Sequence, residues 1–361
     1  MAAASTCTER VLFILPHPEP ADLVPRLERK FPGIETTYIK TGTTNYGKWG
    51  EGELDKNIFK DKTILVTLSV LPPTPSDAPN LQLVHFCSSG TDHIAGHPVY
   101  ADSTIPLTTC RGIHGPPICE WVIMTALVHS HRYNLLHDLQ KEQRWDRQDA
   151  LTQVRDMVGQ RIGILGYGGI GRQVGRVAKA MGMDVLAFTA NPRNTVEERR
   201  HKDYCMPGMG DPEGTIPSGW FSGLDRPSLR RFLEQDLDMI VLCLPLTGET
   251  RHLLGKEEFE ILARRQAFVS NISRGAIIDQ GALLEALNTG KIRGAALDVT
   301  DPEPLPTGHP LWSAPNVIIT PHLSGLTGNY VDRALNVLEA NLERRIRGEP
   351  LLNIVDRSRG Y

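Results

Sequence analysis

Arg161-Ile-Gly-Ile-Leu-Gly166-Tyr167-Gly168-Gly169-Ile170-Gly171 is the stretch on which the reading of this chain turns. An apolar run of strand length enters G-x-G-x-x-G, and a helical period follows over Ile170–Met181. In such a unit the first Gly makes the tight turn, and the second lets backbone approach a pyrophosphate. The third lets helix and strand pack closely, and the free N–H groups of the helix N-terminus face the phosphates. Three glycines alone are weak evidence, but the strand before and the helix after supply the context that the motif requires.

The same rhythm extends in both directions. Downstream, Val185–Phe188, Met239–Pro245, Ala267–Ile272, Ala295–Val299 and Val317–Thr320 have strand length, with helical patterns at Gly281–Asn288 and Leu326–Arg347. Upstream, Val11–Leu15, Thr36–Ile39, Ile64–Leu68 and Leu81–Phe86 alternate with a helix over Pro20–Phe31. A long helical stretch spans Ile118 to about Arg144. Strands alternating with helices predict an α/β protein of two doubly wound parallel-sheet units. Asn191 to Gly223 interrupts the pattern with many Gly and Pro residues and reads as a solvated surface insertion.

Composition narrows the function classes. The 361 residues suggest two or three domains, and 39 Lys plus Arg against 42 Asp plus Glu give a net charge of −3. That balance offers no electrostatic case for a nucleic-acid or membrane partner. Six cysteines without a C-x-x-C pair make no disulfide framework and suit a reducing cytosol. The early apolar run ends at Pro16 and is too short for a signal sequence or a span. A cytoplasmic protein is expected.

At the end of the second nucleotide-domain strand, an acid would bond the ribose 2′-OH of NAD. Here the residues are Thr189, Asn191 and Arg193, and the next acid is Glu197. A carboxylate would repel a 2′-phosphate, whereas these three could donate to it, so NADP is preferred and NAD is possible. Three later segments each place a polar residue beside a turn after a buried strand: Ser270-Asn-Ile-Ser273-Arg274-Gly, Asp298-Val-Thr-Asp-Pro-Glu303-Pro and Thr320-Pro-His322-Leu-Ser-Gly325. Ligands of open α/β sheets bind outside the carboxyl ends of strands, so all three are expected to face one cleft. Arg274 suits a carboxylate and a polarised carbonyl. His322 suits proton donation to the alkoxide formed by hydride transfer, and Glu303 would orient the imidazole and favour its charged form. His129, His131 and His137 tempt a metal assignment. Residues i and i+2 of a helix point to nearly opposite faces, however, and no metal is expected. Cys243, in an apolar strand, reads as a packed small residue.

In these residues the sequence resembles the D-isomer-specific 2-hydroxyacid dehydrogenase family, glyoxylate/hydroxypyruvate reductase-like members included. The likeness rests on Gly166-Tyr-Gly-Gly-Ile-Gly171, Leu244-Pro-Leu-Thr-Gly-Glu-Thr250, Ser273-Arg-Gly-Ala-Ile-Ile-Asp279, Leu297-Asp-Val through Glu303-Pro, and Thr320-Pro-His322, and runs from about Leu81 to Arg347. It implies a Rossmann nucleotide domain and a flavodoxin-like substrate domain with a cleft between. The substrate domain would be discontinuous, 1–118 plus 325–361, with 119–324 as the nucleotide domain. It implies catalysis by Arg274, Glu303 and His322 on small 2-keto and 2-hydroxy acids. The substrate carboxylate would be held by Ser89 and Gly90 with Arg274. Cofactor contacts would come from the glycine motif and from Cys243, Leu244, Pro245, Thr250, Ile272, Ser273, Asp298 and Gly325. A homodimer built through the segment around 118–160 is implied, and Trp145 sits where some such reductases extend a Trp into the neighbouring subunit's pocket. Transcriptional corepressors resembling this family keep the same constellation, so a dinucleotide-sensing regulator is the alternative. No low-complexity tail or basic run follows Arg347 to favour it. Relatives acting on formate lack an acid at the position of Glu303.

Overall fold

The computed structural model describes residues 8–42, 54–147 and 154–357. Contacts divide the chain into two units, Met1–Ile113 with Thr327–Tyr361, and His114–Leu326. The first division falls ahead of Ile118 because the helix containing Ile118 starts at Gly115 and belongs whole to the second unit.

The first unit holds a five-stranded parallel sheet of β1 (Arg10–Leu15), β2 (Glu35–Lys40), β3 (Ile64–Thr67), β4 (Leu83–Phe86) and β5 (Leu107–Thr109), in the order β2-β1-β3-β4-β5. That is the flavodoxin-like order. Its core gathers Leu12, Ile14, Leu65, Val84, Phe86 and Leu107. Helices α1 (Leu23–Lys30), α2 (Pro98–Ala101) and the last helix of the chain complete the unit. That last helix, Tyr330–Arg347, buries Leu335, Leu338 and Leu342.

The second unit opens with α3 (Gly115–Ser130) and α4 (Tyr133–Lys141). The single long helix expected here is two, because Arg132 takes a left-handed conformation at φ 56° and ends the first helix. Seven parallel strands follow: β6 (Arg161–Leu165), β7 (Asp184–Thr189), β8 (Gly219–Ser222), β9 (Met239–Leu242), β10 (Phe268–Asn271), β11 (Gly294–Leu297) and β12 (Val317–Ile319). Their order, β12-β11-β10-β9-β6-β7-β8, reverses direction between β6 and β9. Helices α5 (Gly169–Ala180), α6 (Val196–Arg199), α7 (Arg226–Leu233), α8 (Lys256–Leu262) and α9 (Gln280–Asn288) connect them.

Alternate residues of each inner strand enter different cores. Ile164, Val185, Val241 and Ala296 pack with α3 and α5, whereas Leu165, Leu186, Ile240 and Leu297 pack with Phe232, Phe259 and Leu283. Burial on both faces is why these strands read as continuous apolar runs rather than alternating ones. Among the described residues no helix is long and apolar enough to cross a membrane.

Candidate active site

Strand register builds the site. Leu165 pairs with Phe188 and with Leu242, Leu242 with Asn271, Asn271 with Leu297, and Leu297 with Ile319. The next residue of each strand, Thr189, Gly166, Cys243, Ile272, Asp298 and Thr320, therefore stands in one row at the carboxyl end of the sheet. Ligands of open parallel sheets bind there, at the point where strand order reverses. That point lies between Gly166 and Cys243.

The glycines there have steric reasons. Gly166 sits at φ 93°, and a Cβ on it would come within 2.5 Å of the Cys243 carbonyl oxygen. A Cβ on Gly171 would lie 2.3 Å from the Gly166 oxygen. Gly168 differs: a Cβ there would meet nothing within 4 Å, and it caps α5 with no side chain. An open backbone at a helix N-terminus fits a pyrophosphate, and here it lies beside the reversal point. The residues present suit a bound dinucleotide.

Three neighbouring strand ends carry Arg274, Glu303 and His322. Asn271 at the end of β10 accepts the Ser273 N–H on its Oδ1 at 3.1 Å, and its Nδ2 donates to the Arg274 carbonyl at 3.0 Å. This side-chain turn sets the backbone that carries Arg274. Arg274 itself donates to the Ser273 carbonyl at 2.8 Å. Gly275 lies so close to the loop after β11 that a Cβ would fall 1.9 Å from the Thr300 carbonyl carbon. That loop leads to Glu303, whose Oε1 is 2.7 Å from His322 Nδ1. Both side chains are partly open, at 39% and 46% exposure. With Nδ1 on the carboxylate, Nε2 is the nitrogen left to exchange a proton.

Asp298 holds His322 in place. It is 1% exposed, and its Oδ1 accepts from Thr320 Oγ1 at 2.5 Å and from Leu323 N–H at 3.0 Å. Its Oδ2 accepts the N–H of Ser324 at 2.9 Å and the Ser324 hydroxyl. Its backbone carbonyl accepts the His322 N–H at 2.8 Å. His322 has φ 51°, uncommon for a residue with a side chain, and such backbones persist where the surroundings over-determine them.

Comparison with known proteins bears on this arrangement. A profile of the NAD-binding domain of D-isomer specific 2-hydroxyacid dehydrogenases matches residues 123–207 and 221–324. A glyoxylate reductase of Thermofilum pendens is 30% identical over 310 residues, 82% of each chain. The chain belongs to the D-isomer specific 2-hydroxyacid dehydrogenase family. Another relative, a glyoxylate reductase of Aeropyrum pernix, is 33% identical over 202 residues, and the match spans only about half of its length (53%). Among solved structures, a family member from Xanthobacter autotrophicus Py2 in complex with NADPH and MES has a TM-score of 0.74 at 28% identity. The match covers 98% of this chain and 100% of that one. The NADPH-dependent glyoxylate/hydroxypyruvate reductase of Sinorhizobium meliloti, in complex with NADP and sulfate, has a TM-score of 0.73 at 26% identity. The coverage is again 98% and 100%.

Several side chains expected at the cofactor also make hydrogen bonds within the chain. The Asp298 carboxylate accepts four hydrogen bonds, about as many as its lone pairs take, and so braces the His322 loop. Ser273 Oγ donates to the Leu242 carbonyl at 2.6 Å and accepts the Leu244 N–H at 2.9 Å. Thr250 Oγ1 donates to the Pro245 carbonyl at 2.7 Å and accepts the Thr247 N–H at 2.7 Å, fixing that turn. The Tyr167 side chain is buried in the core, leaving its backbone on the glycine turn. Ile272 and Cys243 present packed apolar surface in the row, and burial pushes the Cys243 thiol far up. Gly325 rests against His114 and Ile118.

At the far end of the row, Thr189 Oγ1 donates to the Asn191 carbonyl at 2.7 Å and Arg193 donates to the Glu198 carbonyl at 2.6 Å. In the first unit, Ser89 and Gly90 follow β4 in a turn where Ser88 Oγ donates to the Gly90 carbonyl at 2.8 Å. Among the described residues no group of three His, Cys, Asp or Glu could hold a metal ion. His129 stacks on Phe268, and His137 stacks on Tyr133.

Asn271, Thr320 and Ser324 join the site only in the structure. An Asn three residues before an Arg-Gly turn is a legible turn signal; Thr320 and Ser324 carry none. The 191–223 segment is largely solvated, as expected, but it is not without structure. It contains α6 and β8, and its Asp211 is buried against the glycine motif.

Proposed function

We propose that the protein reduces small 2-keto acids to D-2-hydroxy acids with NADPH, with glyoxylate or hydroxypyruvate as the substrates that fit best. The observation that carries this is the His322–Glu303 pair at 2.7 Å, on the strand end two places from the one that presents Arg274. When bound, the reduced nicotinamide supplies a hydride to the carbonyl carbon. Arg274 holds the carboxylate and polarises the carbonyl, with the backbone of Ser89 and Gly90 assigned to the same carboxylate. His322 gives the Nε2 proton to the oxygen as it becomes an alkoxide, and Glu303 keeps the ring oriented through Nδ1. In the oxidative direction neutral His322 takes that proton back.

The preference for NADPH rests on the turn after β7, which has no carboxylate to meet a ribose. Its nearest acids are engaged locally: Glu198 caps α6 on the N–H groups of Asn194 and Thr195, and Glu197 pairs with Arg200 at 3.1 Å. Arg193 uses one guanidinium N–H on the Glu198 carbonyl and has others to offer a 2′-phosphate, with Thr189 and Asn191 beside it. Assembly as a homodimer is supported by an apolar groove of about 640 Å³ lined by Pro116, Ile123, Met124, Leu127, Tyr133 and Val177. Trp145, fully exposed on its own chain, is then free to reach a second copy. The free state of Cys87, Cys110, Cys119, Cys205 and Cys243 suits a reducing cytosol.

A panel of 2-keto acids assayed with NADPH and NADH tests the reading. His322→Ala is expected to lose about 10²–10⁴ in kcat, the usual contribution of a general acid. Near-normal turnover in that variant, or strong preference for NADH, refutes the corresponding half. Cofactor binding without turnover on any keto acid would point to the regulator instead.

A further inference from the structure

Residues 208–220 fall between the two stretches that match the family profile, and they contain Asp211, a carboxylate only 4% exposed. Its Oδ2 accepts from the Tyr167 hydroxyl at 3.0 Å and from Ile216 N–H at 3.2 Å, and its Oδ1 accepts the Thr215 N–H at 3.0 Å. Tyr167 is the residue between the first two glycines of the motif. Its ring is held on two further sides: the Arg172 guanidinium lies over it at 5.2 Å, and the Trp220 indole meets it edge-on at 5.2 Å. Arg172 follows the third glycine and donates to the carbonyls of Asp211 and Arg199. Gln173 accepts the Gly210 N–H at 2.7 Å. The segment is thus bonded to the residue inside the glycine turn and to two residues of the helix that follows it.

A turn built on Gly166, Gly168 and Gly169 has wide backbone freedom. Freedom left before a ligand arrives must be given up when it binds, and a turn held in its bound shape avoids that cost. Tyr167 gives the turn a side chain that can be gripped from outside, and burial pushes its phenol up so that it stays a neutral donor. We propose that the Tyr167 hydroxyl and Asp211 are positioning residues that hold the glycine turn in the shape that receives the dinucleotide pyrophosphate. Neither side chain touches the cofactor; both act through the backbone of residues 166–168. The proposal rests on the NADPH reading above.

The test is a fluorescence titration of NADPH on the full chain, with steady-state kinetics and melting temperature, for wild type, Tyr167→Phe, Asp211→Asn and the double variant. Tyr167→Phe removes a single oxygen and carries the test if Asp211→Asn does not fold. Tyr167→Phe is expected to raise the Kd and KM for NADPH about tenfold, equivalent to about 1.4 kcal/mol. The kcat at saturating cofactor and the KM for the keto acid should stay within about twofold. Because one hydrogen bond joins the two groups, the double variant should bind no more weakly than the weaker single variant. Leu27→Ala, in the core of the first unit, should lower the melting temperature without moving the Kd. A Kd for Tyr167→Phe within about twofold of wild type, additive losses in the double variant, or an equal loss in Leu27→Ala overturns the positioning role. Wild type that binds neither NADPH nor NADH overturns the cofactor reading, and this proposal with it.

Discussion

Replacing Asp298 by Ala separates two accounts of the residue. In the structure its carboxylate serves the loop that carries His322, accepting from Thr320, Leu323 and Ser324. The two hydroxyls can turn to other acceptors once it is gone, but the N–H groups of Leu323 and Ser324 cannot. A buried donor left unmade costs about 1–3 kcal/mol. Leu323 is exposed enough for water to reach it, whereas Ser324 is buried. The expected loss is therefore about 3 kcal/mol, mostly at Ser324. At about 2–4 °C per kcal/mol for a domain of 150–250 residues, the melting temperature of the second unit should fall by roughly 6–12 °C. Turnover should fall by about 10²-fold, the effect of displacing a reacting group by an ångström or so. The KM for NADPH should barely move, because the carboxylate has no capacity left for a cofactor. Scanning calorimetry and steady-state kinetics with NADPH varied read both effects. A melting temperature within about 2 °C of wild type, with the KM for NADPH raised tenfold, would refute this reasoning and return Asp298 to the nicotinamide.

Other consequences are equally direct. Glu303→Gln keeps an acceptor on His322 Nδ1 but replaces the carboxylate by a neutral amide. Its kcat should fall on the order of 10–100-fold, less than for His322→Ala, and wild-type kcat would leave Glu303 without a catalytic part. Gly275→Ala places a methyl within 1.9 Å of the Thr300 carbonyl carbon, so the Arg274 and Glu303 loops must separate. A loss of about 1–3 kcal/mol in urea unfolding, with reduced kcat, is expected, and an unchanged variant would mean the loops are looser than they stand. In the first unit, burial holds the His85 imidazole down at about 4. The unfolded chain takes up the proton near 6.5, so between those values it binds more protons than the native state. Stability should therefore fall as pH drops from about 6.5 to 4, by up to roughly 3 kcal/mol from this group. Urea unfolding at several pH values should show a flatter slope for His85→Gln, and an equal slope would remove His85 as the cause.

Much of this fold is legible because its inner strands are buried on both faces and read as plain apolar runs. β5 escaped notice because it is three residues long and follows Pro106. β8 lies in a Gly- and Pro-rich stretch, half-buried at the sheet edge, with no apolar run to mark it. The break at Arg132 depends on one backbone conformation that nothing in the surrounding helical pattern announces. At the site, residue order was enough to expect Arg274, Glu303 and His322 beyond successive strand ends, and Glu303 and His322 do meet. Which groups brace them was not legible, because a hydrogen bond such as Thr320 to Asp298 spans 22 residues and exists only after the strands align.

The connection between β7 and β8 and the glycine turn depend on each other. Removing residues 208–220 would leave the Tyr167 hydroxyl without its acceptor and the buried Arg172 without the Asp211 carbonyl. The glycine turn and this connection therefore work as one unit. Grafted onto a protein without Tyr167 and Arg172, the loop should keep Asp211 bonded to the Thr215 and Ile216 N–H groups but lose its hold on the turn.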